Sequence, residues 1–211
     1  MRIAFICTAN VARSIMAESI FRSILDKLGW TDIEVFSAGV KDYTDVEPID
    51  KVVTVCAKHG TPVCKSGATF MDDIDMESMD WILAMQFAHI AKLRKEKNLP
   101  TKVKVALLGE YSPLADDVHE IIDPMGKRMS VFEKCYKKID QCVQMFIRTE
   151  LLDKTNQAQD EGDTLLTFRE WAEKDDQEGE SFRVIQDNGS SNSPGELTFR
   201  ELDEDPQAAG N

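Results

Sequence analysis

No apolar run in this 211-residue chain approaches the roughly 20 residues that a membrane-spanning helix requires. The apolar stretch between Met1 and Thr8 is too short for a secretory signal core, and no small-residue cleavage site follows it. Cysteine is sparse and odd in number, five at irregular positions (Cys7, Cys56, Cys64, Cys135, Cys142). That pattern excludes a simple disulfide framework and argues for a reducing compartment, the cytoplasm. Basic residues are also short: 25 Lys/Arg stand against 38 Asp/Glu, a net charge of −13. The deficit is local, because from Leu151 onward 16 acids face 5 bases, which leaves 22 against 20 in residues 1–150. Neither part carries the clustered basic charge of a nucleic-acid binder.

What is present divides the same way. Apolar residues make up 42% of the chain, enough for one packed domain over residues 1–150. Arg2 to Ile6 reads as a buried strand. From Ser14 the apolar positions Ala17, Ile20, Phe21, Ile24 and Leu28 recur every three or four residues until Gly29, the mark of a helix. Ile33 to Phe36 reads as a second strand closed by Ser37-Ala38-Gly39, and Ile49 to Lys58 as a second helix. Trp81 to Met85 and Val103 to Leu108 are two more strands with a helix, Phe87 to Lys97, between them. Met129, Phe132, Tyr136, Ile139, Val143 and Phe146/Ile147 form the apolar stripe of a last, long helix. Strands alternating with helices predict an α/β fold, a parallel sheet covered on both faces. Residues 151–211 are acidic and without extended periodicity, and read as a largely disordered extension. Leu-Thr-Phe-Arg-Glu occurs there twice, at 166–170 and 197–201, and offers short segments for docking on this domain or on a protein partner. Trp171 is a further candidate anchor.

Ligands of parallel sheets bind beyond the carboxyl ends of strands, which is where Cys7 falls. Cys7-Thr8-Ala9-Asn10-Val11-Ala12-Arg13-Ser14 fits C-x5-R-S between a strand and a helix. Six residues of tight turn can aim successive backbone N–H groups into one anion-binding concavity. The following helix adds its free N–H groups and the positive end of its dipole. Arg13 offers a planar fork to two phosphate oxygens. The same field favours the thiolate of Cys7, the reactive form of the nucleophile. Ser14 is placed to hydrogen-bond the sulfur, and Asn10 tolerates left-handed dihedrals while its side chain ties the loop together. Thr8, Ala9, Asn10, Val11, Ala12 and Ser14 are thus the candidate phosphate-binding residues around Cys7 and Arg13.

This loop, together with Met16-Ala17-Glu18 and Phe21, resembles the signature of the low-molecular-weight protein-tyrosine phosphatases. Ser37-Ala38-Gly39, Asp80-Trp81-Ile82-Leu83-Ala84-Met85 and Asp123-Pro124 match further family segments in order, covering about residues 2–148. The resemblance implies a four-stranded parallel sheet flanked by helices. It also implies Cys7 as nucleophile, Arg13 as transition-state clamp and Asp123 as the acid that protonates the leaving group. Proton delivery by Asp123, followed by activation of water, is sound chemistry. From the sequence alone Asp123 is one loop acid among several, with Asp116 and Asp117 as rivals that precede no proline. The substrate implied is a phosphorylated protein or a small phosphomonoester, with no cofactor and no metal.

Departures from the family pattern are specific. Ala12 stands where many members have a second cysteine. Met125-Gly126 follow Asp123-Pro124 where an aromatic residue is usual, leaving Tyr43 as the aromatic wall of the substrate slot. Ser66 and Thr69 stand where a histidine and an arginine are usual, so Asn10 needs another partner. Ala9 replaces a glycine and requires dihedrals that accept a Cβ. Two other readings remain open. The loop is also similar to that of thioredoxin-coupled arsenate reductases, which need relay cysteines; only Cys56 or Cys64 could serve. A phosphate-recognising module acting through the acidic extension is the other. Cys56, His59 and Cys64 supply three donors of a metal site but lack a fourth, and Cys135 and Cys142 read as core residues.

Overall fold

In a computed structural model of the chain, residues 1–44, 46–114 and 118–152 are described. Asp116, Asp117, Trp171, the two Leu-Thr-Phe-Arg-Glu segments and the rest of the acidic extension from 153 lie outside the described residues.

The chain alternates strand and helix: β1 (Arg2–Cys7), α1 (Arg13–Leu28), β2 (Glu34–Gly39), α2 (Asp50–Lys58), β3 (Trp81–Ala84), α3 (Phe87–Glu96), β4 (Lys104–Leu107) and α4 (Met129–Phe146). The four strands form one parallel sheet in the order β2-β1-β3-β4. This is the architecture that the alternating pattern and the resemblance both predict.

Side chains alternate across the two faces of β1. Ile3, Phe5 and Cys7 pack into the larger core with α1, α2 and α4, whereas Ala4 and Ile6 pack with Met71, Met76, Met79, Ile82 and Leu93 on the other face. Cys7 therefore ends the central strand on the face that α1 covers. The aromatic rings of Phe21, Trp81 and Tyr111 gather around Phe146 at centroid distances of 6.2, 5.2 and 5.1 Å, pinning α4 to that face. Cys135 and Cys142 join the same core.

Two boundaries differ from the sequence reading. Strand β2 continues through Ser37-Ala38-Gly39, because these residues pair in register with Phe5, Ile6 and Cys7 instead of turning away. At the other end, α4 passes into a wider helical turn over Ile147–Leu152, with Leu151 and Leu152 buried in the core. Packing thus reaches two residues beyond the expected end of the domain at 150. Helix α1 stops as predicted at Gly29, which adopts the left-handed conformation (φ 67°) and returns its N–H to the carbonyls of Leu25 and Asp26.

Candidate active site

The loop between β1 and α1 is held from several sides by backbone hydrogen bonds. Val40 and Lys41 donate to the carbonyls of Cys7 and Thr8, and Ile49 donates to that of Val11. Gly39 lies directly beneath the loop. A Cβ at that position would stand 2.8 Å from the carbonyl carbon of Ala9 and 3.0 Å from the Thr8 oxygen, so only glycine lets the two backbones approach this closely. Ala12, at the cap position before α1, offers no side-chain cap, which leaves the first N–H groups of the helix to serve the loop.

The sulfur of Cys7 lies 3.0 Å from the Ser14 hydroxyl and accepts the Asn10 backbone N–H at 3.3 Å. Asn10 has φ 54°, the one positive φ among the described non-glycine residues. Ala9 therefore keeps an ordinary φ and accommodates its Cβ. Asn10 is completely buried and both polar atoms of its side chain are used. Its Nδ2 donates to the hydroxyls of Ser14 and Ser37, both at 2.8 Å, while Oδ1 accepts from Lys65 Nζ at 2.8 Å and the Thr69 backbone N–H at 2.9 Å. The partner that the missing histidine left open is thus Lys65, with a main-chain group of Thr69.

Arg13 is 1% exposed, an unusual burial for a guanidinium, which is tolerated because its protons find acceptors. Nη1 donates to Gln86 Oε1 at 2.7 Å and to the Ile121 carbonyl at 3.1 Å. Nη2 donates to Thr8 Oγ1 at 3.2 Å and to Asp123 Oδ2 at 2.6 Å. The loop carrying Asp123 is fixed to the sheet, since Ile121 donates its N–H to the Met85 carbonyl. Asp123 Oδ1 accepts the Met125 N–H at 3.1 Å, and Gly126 at φ 71° turns the chain away. Cys7, Arg13 and Asp123, residues from two distant parts of the chain, are thereby gathered at the carboxyl end of the sheet. Tyr43 and Met125 stand exposed on the β2–α2 and β4–α4 connections. Tyr43 is two residues beyond Lys41, which is bonded to the loop. Val11 and Ala12 are buried, Thr8 and Ala9 half-buried.

Residues that the sequence did not single out complete the arrangement. His89, on the first turn of α3, has Nε2 3.0 Å from Thr8 Oγ1. Burial first, then the Arg13 charge, pulls its pKa down to about 4, so it is neutral near pH 7. Glu120 caps α3 by accepting the Phe87 N–H at 2.8 Å. Gln86 stands two residues beyond β3, just before α3, a position past a strand's carboxyl end that the topology rule flags; Lys65 and His89 leave no comparable trace in a motif.

The remaining cysteines are quiet. Burial pushes the thiols of Cys56 and Cys135 up to about 12, which disfavours thiolate relay chemistry at either. Cys64 is exposed. His59 is engaged by Glu133 at 2.9 Å and stacked on Tyr136 at 4.4 Å, and among the described residues no group of three acidic, histidine or cysteine side chains is arranged as a metal site.

Known proteins resemble the chain over this same region. The family model "Low molecular weight phosphotyrosine protein phosphatase" matches residues 2–158. The Saccharomyces cerevisiae protein of that description is 30% identical over 153 residues, covering 71% of this chain and 94% of its own. The crystal structure of a low molecular weight protein tyrosine phosphatase from T. tengcongensis superposes with a TM-score of 0.63 at 29% identity, over 70% of this chain and 98% of that one. A Drosophila arginine phosphatase superposes equally well, TM-score 0.63 at 27% identity, over 70% and 96%.

Proposed function

The chain belongs to the low molecular weight phosphotyrosine protein phosphatase family and is a hydrolase of that type, and we propose that it cleaves phosphomonoesters through a phosphocysteine on Cys7. The observation that carries this reading is that buried Arg13 hydrogen-bonds both Thr8 of the Cys7 loop and Asp123. In this reading the phosphate lies in the loop with its oxygens on backbone N–H groups and on the Arg13 fork. Cys7 attacks phosphorus in line with the leaving oxygen. Asp123, once the arriving phosphate displaces it from Arg13 and it takes a proton from substrate or solvent, gives that proton to the leaving oxygen, and the resulting carboxylate takes a proton from the water that cleaves the phosphorus–sulfur bond. Ser14 donates to the sulfur as it leaves.

Arg13 is held in place before substrate arrives. Gln86 and the Ile121 carbonyl fix Nη1, and Thr8 and Asp123 share Nη2. A phosphate dianion competes with Asp123 for Nη2, so binding itself loosens the ion pair and frees the carboxyl group to face the leaving group. Preorganised charge of this kind is the usual source of rate in phosphoryl transfer.

The substrate is a phosphorylated protein side chain, phosphotyrosine by the names of the relatives, acting in the cytoplasm. Tyr43 and Met125 are the candidate walls for the ring, both exposed. The test is turnover of p-nitrophenyl phosphate, a phosphotyrosine peptide and a phosphoarginine peptide by the full chain and by Cys7→Ser, from about pH 5 to pH 8. Turnover of the first two, lost in Cys7→Ser, supports the reading. Turnover of the phosphoarginine peptide alone would replace the substrate, and none at all would overturn the mechanism.

A further inference from the structure

We propose that Lys65 is a positioning residue whose positive charge heads and polarises the hydrogen-bond chain ending on the Cys7 sulfur. The inference rests on Cys7 being the nucleophile.

The direction follows from counting donors and acceptors. An asparagine amide can sit either way round, and the choice belongs to its neighbours. On one side of Asn10 stand two pure donors, the Lys65 ammonium at 2.8 Å and the Thr69 N–H at 2.9 Å. Only the amide oxygen can face them. Its NH₂ group must then face Ser14 and Ser37, and both hydroxyls accept from it at 2.8 Å. Ser14 Oγ, already accepting from Asn10, has one proton left, and the Cys7 sulfur lies 3.0 Å away. The proton therefore points at the sulfur, and the chain runs from ammonium to amide, amide to hydroxyl, hydroxyl to sulfur. Hydrogen bonds in series polarise one another, so a cation at the far end strengthens donation at the near end.

Lys65 itself is held firmly enough to act this way. It is partly buried, and its other protons reach the Ser37 carbonyl at 2.8 Å and the Ser37 hydroxyl at 3.4 Å. Ser37 in turn donates to Glu18. Burial lowers the affinity of Lys65 for its proton, while Glu18 and Cys7 restore part of it and Arg22 acts the other way. Across this network the ammonium, the loop and the sulfur are electrically in contact, although Lys65 makes no hydrogen bond to the sulfur itself.

The experiment uses the full chain with Lys65→Met, Lys65→Arg, Ser14→Ala and the double variant Lys65→Met/Ser14→Ala. The readouts are kcat and KM for p-nitrophenyl phosphate and the rate at which iodoacetate alkylates Cys7 at fixed pH. Lys65→Met is expected to lower kcat about tenfold, with KM changed less than about threefold, and to slow alkylation by a similar factor. Lys65→Arg, which keeps a cationic donor, recovers most of both. In the Ser14→Ala background the Lys65 substitution adds almost nothing, because the chain is already cut. If Lys65→Met does not fold, Lys65→Gln carries the same expectations. Turnover and alkylation within twofold of the parent, or effects of Lys65 and Ser14 that simply multiply, would overturn the proposal. A parent chain lacking Cys7-dependent turnover would instead sink the phosphatase reading, so the two failures are distinguishable.

Discussion

Replacing Asn10 by alanine removes the most connected side chain of the loop. Four hydrogen bonds disappear: to Ser14, Ser37, Lys65 and the Thr69 N–H. Each is worth about 1 kcal/mol net. Ser14, Ser37 and Lys65 keep other partners, which holds each loss near that mean instead of the full cost of an orphaned group. Alanine must also adopt φ 54°, a further cost of about 1 kcal/mol. The expected loss is thus on the order of 5 kcal/mol, a large part of the 5–15 kcal/mol typical of a domain. Asn10→Gly loses the same four bonds without backbone strain, but its freer unfolded chain costs about 0.5–1 kcal/mol. Glycine should therefore be no more damaging than alanine, and the milder change by at most about 0.5 kcal/mol. Urea unfolding of the parent, Asn10→Ala and Asn10→Gly by circular dichroism measures both differences. Losses below about 1.5 kcal/mol in both variants, or an alanine variant more stable than the glycine one by over about 0.5 kcal/mol, would overturn these assignments.

Three further outcomes follow from the geometry. Gly39→Ala, which sets a Cβ against the Ala9 and Thr8 backbones, should cost about 1–3 kcal/mol in a melt and displace the loop; a variant of parental stability and turnover would contradict the close approach. Arg13→Lys should lower kcat about 100-fold or more, because one ammonium cannot replace a fork bonded to Gln86, Ile121, Thr8 and Asp123; steady-state kinetics decides it. Since the pKa of His89 falls from 6.5 to about 4 on folding, the unfolded chain binds more protons between those values. Its contribution is present above about pH 6.5 and lost toward pH 4. His89→Asn should flatten that part of the stability–pH curve, and a slope equal to the parent's would contradict the assignment.

The legible part of the fold was its rhythm. Apolar positions at period 3.6 in α1 and α4, and short apolar runs at β1, β3 and β4, announce themselves locally, and so does the loop, because Cys7, Asn10, Arg13 and Ser14 are neighbours in sequence. Strand β2 stopped at Phe36 only in the sequence reading; it runs on to Gly39. A Ser-Ala-Gly run looks like a turn until its register against Cys7 is known. Lys65 and His89 were invisible for another reason. Each acts on the loop through a contact 55 and 81 residues away in sequence, and neither carries a spacing that distinguishes it from a surface lysine or a core histidine. Asp123 stands between, chemically apt but found only by its resemblance to a family segment.

Catalysis by this site passes through a covalent phosphocysteine on Cys7. Mixing the full chain with excess p-nitrophenyl phosphate, quenching in denaturant at alkaline pH within the first turnovers, where a phosphorus–sulfur bond survives, and mapping peptides by mass spectrometry reads it out. One phosphoryl group is expected on the peptide holding Cys7, absent from Cys7→Ser, and longer-lived in Asp123→Asn, where water is less readily activated. Turnover with no phosphoryl group on Cys7, or with one on another residue, would contradict it.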